Sequence, residues 1–462
     1  MKKRGSIAFI EENPPVAVDG DIIVATAVEY VPSGKQPIRS QIIDTYEKDS
    51  FKDVKTNTNT YKDPMEQYKD SPTNEKGMTR KSSFSFGNKD KDEKSARKQS
   101  VLLETTSKKS KAWPPALKSY ISKNLERPLD EVSLRKYLRK QKWPKGLQDI
   151  LIKSSKKSPI RFIIIDDSGS MSKVDGKRLM TDGRNCKMLK CSRWTELQET
   201  VRTQASISQS GKIISEFRLL NGADPVIIGL DADDAENMNF LEEVLEQSPA
   251  GQTPICEHIE SIIENISSIA DILRSNGQRA TVIICTDGES TDGNLAEVMK
   301  PLQDLPVWLV VRLCTDEKNV IDYWNDIDRE LEIEMDVIDD FVGDASEIYN
   351  VNSWLIYGEP LHRMREFGSS IKEMDHLDEK LLGHDEMLVI IGALLFEGKT
   401  KEIPHPEMNW SAFIASVKKQ NAAAERNYDP ISKMISGWIH EKNLISHYKG
   451  NSSGGSQACV LC

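Results

Sequence analysis

The stretch Phe162-Ile163-Ile164-Ile165, followed by Asp166-Asp167-Ser168-Gly169-Ser170, limits the possible folds of this chain more than any other. The apolar run is short, rich in β-branched residues and free of polar alternation. That pattern predicts a strand covered on both faces, as in a parallel sheet. Parallel neighbours need long crossovers, usually helices, so the chain is expected to be α/β. The run stops at a carboxylate, and Asp166, Ser168 and Ser170 then fall at two-residue steps on one loop, D-x-S-x-S. Carboxylate and hydroxyl oxygens are hard ligands, which suit Mg2+ or Mn2+ far better than zinc or copper.

Further segments extend the pattern. Strands are expected over 161–165, 216–220, 225–230, 281–286, 307–313 and 334–338. Helices are expected over 194–209, 254–275, 294–302 and 320–331, with a closing helix over 348–361. This alternation predicts a doubly wound, mostly parallel sheet. In such sheets ligands sit beyond the carboxyl ends of the strands, where strand order reverses. Asp166 ends one apolar strand and Asp287, in Thr281-Val282-Ile283-Ile284-Cys285-Thr286-Asp287, ends another. Between them Gly251-Gln252-Thr253-Pro254 heads a helical stretch.

These three loops, in this order, resemble the metal-ion-dependent adhesion site of von Willebrand factor A (VWA) domains. The resemblance covers residues 158–357. It implies a VWA/Rossmann-like sheet, with Ser168, Ser170 and Thr253 contacting Mg2+ (or Mn2+) directly and Asp166 and Asp287 acting partly through water. It also implies a coordination position left for an Asp or Glu carboxylate of a protein partner, hence a binding device rather than an enzyme. One departure stands out: the helix that follows D-x-S-x-S in the family is delayed by residues 172–193. That insertion carries Lys173, Lys177, Arg178, Arg184, Lys187, Lys190 and Arg193. It is either a basic clamp for an acidic partner or a mobile insertion.

Outside this region, residues 1–110 are expected to be disordered and basic toward their end. They hold one apolar patch over 21–28 and two kinase-like sites, Arg80-Lys81-Ser82-Ser83 and Arg97-Lys98-Gln99-Ser100. Met1-Lys2-Lys3-Arg4 meets Glu11, Glu12 and Pro14 before any sustained apolar run, which argues against a secretory leader. Residues 112–152 contain a small repeat, Trp113-Pro114-Pro115-Ala116-Leu117 and Trp143-Pro144-Lys145-Gly146-Leu147, with proline where a helix begins. They form either a helical hairpin packed by its tryptophans on the neighbouring domain or a separate docking module. Residues 360–448 read as helical, and 449–462 as a flexible tail. The tail ends in Cys459-Val460-Leu461-Cys462, a C-a-a-X pattern that marks Cys459 for prenylation.

The net charge of −10 conceals an asymmetry, because residues 76–157 hold 23 Lys/Arg against 8 Asp/Glu. So basic a stretch is drawn to anionic lipid or nucleic acid. A single prenyl chain anchors only marginally, and the basic stretch offers a second membrane contact. The sequence therefore predicts a cytoplasmic VWA protein, peripheral on a membrane, with no nucleic-acid partner. The competing reading is a subunit of a larger ATPase or nucleic-acid-associated assembly that uses the basic 76–157 segment. Gly398-Lys399-Thr400 lacks the remaining glycine of a P-loop, since Ala393 stands in its place. The five cysteines within 158–357 show no C-x-x-C spacing, and Cys285 and Cys314 read as small buried hydrophobes.

Overall fold

Six strands build the central sheet: β1 (Ile160–Ile165), β4 (Ile214–Leu219), β5 (Val226–Ile228), β6 (Ala280–Thr286), β7 (Val307–Leu313) and β8 (Met335–Ile338), in the order β5-β4-β1-β6-β7-β8. All neighbours run parallel except β4 and β5. This computed structural model describes residues 112–449 apart from 183, 184, 223, 231–233, 332 and 370. Expectations for residues 1–110, for Cys459 and for the tail fall outside the described residues. So does Arg184.

The fold is the expected doubly wound, mostly parallel sheet with helices on both faces. On one face Phe162, Ile164, Val282, Ile284, Leu309 and Val311 pack against α6 (Ile255–Ser267), α8 (Leu295–Met299) and α9 (Lys318–Glu330). On the other, Ile163, Ile165, Phe217, Ile283 and Val310 pack against α4 (Arg193–Gly211) and α5 (Ala235–Leu245). Alternation of strand side chains explains the split, odd-numbered β1 residues facing one layer and even-numbered the other. Cys285 and Cys314 are buried as expected, and burial pushes the Cys285 thiol up to about 12.

The amino-terminal helices are part of this body. α1 (Pro115–Asn124), α2 (Glu131–Lys140) and α3 (Lys145–Lys157) precede β1. Trp113 stacks on Phe162 with ring centroids 5.5 Å apart, and its indole N–H donates to buried Glu216. Trp143 instead joins the core of the carboxyl-terminal helices, where Gly146 lies against the backbone of Ala393 on α13 (His384–Leu395). A Cβ at Gly146 would stand 2.4 Å from the Ala393 carbonyl oxygen, so the two helices touch only because this residue has no side chain.

Three local expectations are corrected. The helix expected over 348–361 is broken: α10 (Phe341–Val351) ends at Asn352, and α11 (Glu359–Glu366) starts afresh after Gly358, with Pro360 in its first turn. Between them Leu355 bridges Ile439 in an extended segment, and the Asn352 carboxamide donates to the carbonyls of Leu377 (2.7 Å) and Lys380 (2.8 Å). The helix expected over 254–275 divides into α6 and α7 (Ala270–Ser275), where the Ser268 hydroxyl donates to the Asn265 carbonyl. The insertion 172–193 is neither open loop nor free flap. It forms a hairpin, β2 (Gly176–Asp182) with β3 (Asn185–Cys191), whose Leu179, Cys186 and Met188 pack on the core formed by the carboxyl-terminal helices.

Sheet and carboxyl-terminal helices meet through buried charge. Glu366 on α11 accepts from Arg312 of β7 (3.2 Å), Arg363 (2.8 Å) and the Thr200 hydroxyl (2.9 Å), and Arg312 also pairs with Glu196. Asp344 accepts from Tyr357 (2.9 Å), and Arg365 joins Asp344 to Asp336 and Asp378. His362 lies between Asp344 (3.0 Å) and Glu366 (3.2 Å) and is 1% exposed. Burial alone would lower its pKa, but the two carboxylates outweigh it and raise the imidazole to about 9. A group whose folded pKa exceeds its unfolded value of about 6.5 stabilises the fold fully below that value, and loses the contribution as pH climbs through about 9. The urea midpoint should therefore fall between pH 6.5 and 9.5, and His362→Gln should flatten that part of the profile, as read by tryptophan fluorescence.

Candidate metal-binding site

Asp166 and Asp287 leave adjacent strands, β1 and β6, at the point where strand order reverses, because the chain runs from β1 outward to β4 and β5 and returns to β6 on the other side. Asp166 is fully buried and turned inward. One of its carboxylate oxygens accepts from the Ser168 backbone N–H (2.9 Å), the other from the Thr286 hydroxyl (2.6 Å). Burial lifts its carboxyl above the ordinary range. The hydrogen bonds from Thr286 and Ser168 oppose the lift, and the charge of Asp287 adds to it.

Ser170 is the hinge of the cluster. Its hydroxyl donates to Asp287 Oδ1 at 2.7 Å and stands 2.9 Å from the Ser168 hydroxyl. Adjacent oxygens of an octahedral Mg2+ shell, with metal–oxygen distances of about 2.0–2.1 Å, stand about 2.9 Å apart. The spacings of Ser170 Oγ to Ser168 Oγ and to Asp287 Oδ1 thus each fit a pair of neighbouring positions on such a shell. Thr253 is buried on the adjoining loop, where its own N–H donates to the Thr291 hydroxyl oxygen (3.1 Å). Among the described residues its hydroxyl makes no hydrogen bond with Ser168, Ser170 or Asp287. The two loops are tied by backbone: Ala250 N–H donates to the Asp167 carbonyl (2.7 Å) and Gly169 N–H to the Gly251 carbonyl (3.3 Å). Asn221 braces both, donating to Asp167 Oδ1 and to the Gln252 carbonyl. Gly251 has φ +101° and so close an approach to Asn221 that a Cβ would meet its Oδ1 at 2.4 Å.

Sequence reasoning named Arg193 only as one cation of the inserted segment and missed that it dominates the electrostatics here. Arg193, first residue of α4 and 1% exposed, donates to Asp287 Oδ2 (2.9 Å), to both oxygens of Asp175 (2.8 and 2.6 Å) and to Glu317 (2.7 Å). Asp287 therefore offers one oxygen to Ser170 and has the other held by a guanidinium. Lys173 pairs with the same Glu317 oxygen (2.6 Å), and Lys177 with Asp340 (3.2 Å). Arg178 pairs with Glu199 (4.0 Å), so that with Arg193 four of the seven cations counted as a clamp are engaged inside the protein. No spacing rule could have linked Arg193 to Asp287 or Glu317, because the contacts span 94 and 124 residues. Thr286 was legible as the last residue of its strand, but its bond to Asp166 was not. His258 is buried in α6 with Nε2 3.2 Å from the Leu220 carbonyl, a packed position on the helix face.

No protein-family model matches this chain, and no curated protein matches it. Among solved structures, the SpRpn10 VWA domain is similar at 15% identity, over 39% of this chain and 86% of that one, with a TM-score of 0.25.

Removing the buried guanidinium leaves Asp287 uncompensated beside Asp166, and breaking a buried pair in this way costs about 3–5 kcal/mol. Arg193→Ala is expected to lose that much in urea denaturation. Arg193→Lys should recover only part, since an ammonium cannot reach three carboxylates with a planar fork.

Proposed function

We propose that this protein is a non-catalytic binding module that captures an acidic residue of a protein partner through a divalent cation, Mg2+ or Mn2+. Ser168, Ser170, Asp287 and Thr253 would hold the ion, and Asp166 would orient the Ser168 backbone from beneath. Bound there, the cation would supply a hard Lewis-acid position for a carboxylate oxygen. The observation that carries this reading is the contact of Ser170 with both Ser168 and Asp287, at spacings suited to one octahedral shell, where the sheet reverses its order. The chain's own residues do three things. Thr286 and Ser168 fix the Asp166 carboxylate, Asn221 locks the first loop to the second, and Arg193 stops Asp287 from rotating away.

Mn2+ binding by the full chain, followed by electron paramagnetic resonance, tests the site. Wild type should bind a single ion, and Ser168→Ala with Ser170→Ala should weaken it by tenfold or more without changing the circular dichroism. Equal binding by the variant would sink the reading, as would no binding at all.

The second part of the reading is a lipid tether at Cys459, with the basic stretch of residues 76–157 as an added contact to anionic membrane. It is supported by the C-a-a-X ending behind Gly450-Asn451-Ser452-Ser453-Gly454-Gly455-Ser456. In cells, tagged wild type should sediment with membranes and Cys459→Ser should move to the soluble fraction. Retention of Cys459→Ser on membranes would exclude the tether.

A further inference from the structure

Among the described residues the sheet ends at β8, which has a strand partner on one side only. Leu309 N–H donates to the Glu334 carbonyl, while the register pairs Leu309 with Met335 and Val311 with Val337. A parallel ladder engages alternate residues of each strand. The residues of β8 bonded to β7 are therefore the even-numbered ones, and Met335 and Val337 turn N–H and C=O outward. Met335, Asp336 and Val337 all line a groove of about 1380 Å3. A groove over one face of the strand would meet only alternate residues, so this one runs along the open edge. Ser158 and Arg279, which precede β1 and β6, also line it. It therefore lies toward the amino ends of the strands, away from the candidate metal site.

The chemistry of the groove selects its occupant. Asp328, Asp336, Glu347 and Asp378 gather there, with Arg365 bonded to Asp336 and Asp378. Asp328 and Glu347 make no ion pair among the described residues. Burial, and after it the neighbouring carboxylates, raises the carboxyls of both above their usual range. The lysines of the groove are Lys153 and Lys157 on α3, Lys372 on α12 (Lys372–Asp375) and Lys399 after α13, none of them on the strand, and Arg279 is paired with Glu334. Ile371 and Val389 add apolar lining. We propose that β8 accepts an extended segment of a partner protein as an added strand, with Lys or Arg side chains directed to Asp328 on the α9 side and alternate apolar side chains to Ile371 and Val389 on the side where Glu347 of α10 lies.

The test titrates the full chain with a fluorescein-labelled decapeptide of alternating Lys and Val, read by anisotropy. Saturable binding is expected. Val337→Pro should weaken it about tenfold, because proline removes an outward donor while sparing the ladder to β7. Asp328→Lys with Glu347→Lys should weaken it similarly and reduce its salt dependence. A peptide N-methylated at alternate residues should not bind. Binding indifferent to Val337→Pro and to N-methylation overturns the added strand, and absence of binding overturns the proposal outright. Binding that appears only after the Lys and Arg of residues 76–111 are changed to Gln would assign the groove to the chain's own basic stretch. Self-association abolished by Val337→Pro in sedimentation would assign it to a second copy. Either result would refute the partner.

Discussion

The buried ion network on α11 joins the sheet to everything that follows it. Arg312 projects from β7 on the face that also carries the apolar residues packed on α4, and its charge must be met there. Glu196 meets it from α4 and Glu366 from α11, so one guanidinium fixes two helices to one strand. His362 and Arg365 extend the network to Asp344 and the outer strand β8. Desolvating so many charges earns little net stability compared with an apolar interface, yet removing one partner is severely costly. The network therefore sets which helix lies where and in what register, while the isoleucine- and leucine-rich layers supply most of the driving force. Arg161 shows the same face solving the problem without an acid. Its guanidinium lies over the Phe367 ring at 4.0 Å, donates to the carbonyls of Ser158 and Phe367, and has its pKa lowered to about 9 by burial.

The candidate metal site is built under a similar constraint. Two carboxylates brought within one crevice repel, and each must be neutralised or hydrogen-bonded. Asp166 is met by Thr286 and the Ser168 backbone, Asp287 by Ser170 and Arg193. Arg193 draws in Asp175 from the start of the inserted segment and Glu317 from the loop after β7, so the rim is stiffened from two sides. The hairpin that follows is packed on the carboxyl-terminal helices, and its base is tied to the site through Lys173 and Arg193. Any movement of the hairpin would therefore be felt at Asp287.

The residues before and after the sheet complete each other. Trp113 caps one face through Phe162, whereas Trp143, α3 and α13 share the core of the other layer. The two copies of the Trp-Pro motif thus serve opposite sides of the molecule, and Gly146 is found in the copy that must let a second backbone approach. Part of the strongly basic stretch is accounted for by these helices, where Arg135 pairs with Asp149 and Lys156 with Glu131.

Local pattern sufficed for the six strands of the central sheet, most helices, and the loops that carry Asp166, Ser168, Ser170 and Asp287, because burial on two faces writes itself as continuous apolar runs and strand ends write themselves as polar breaks. It failed where a segment's conformation depends on distant partners. Residues 352–358 became extended because Leu355 pairs with Ile439 and Asn352 ties to Leu377 and Lys380, and the insertion became a hairpin because its apolar side chains find a core made by residues far along the chain. The amino-acid order by itself determined which oxygens leave the sheet together. Only the tertiary structure decided that a guanidinium from the next helix would share Asp287, since that contact depends on how α4 is docked and on no spacing along the chain.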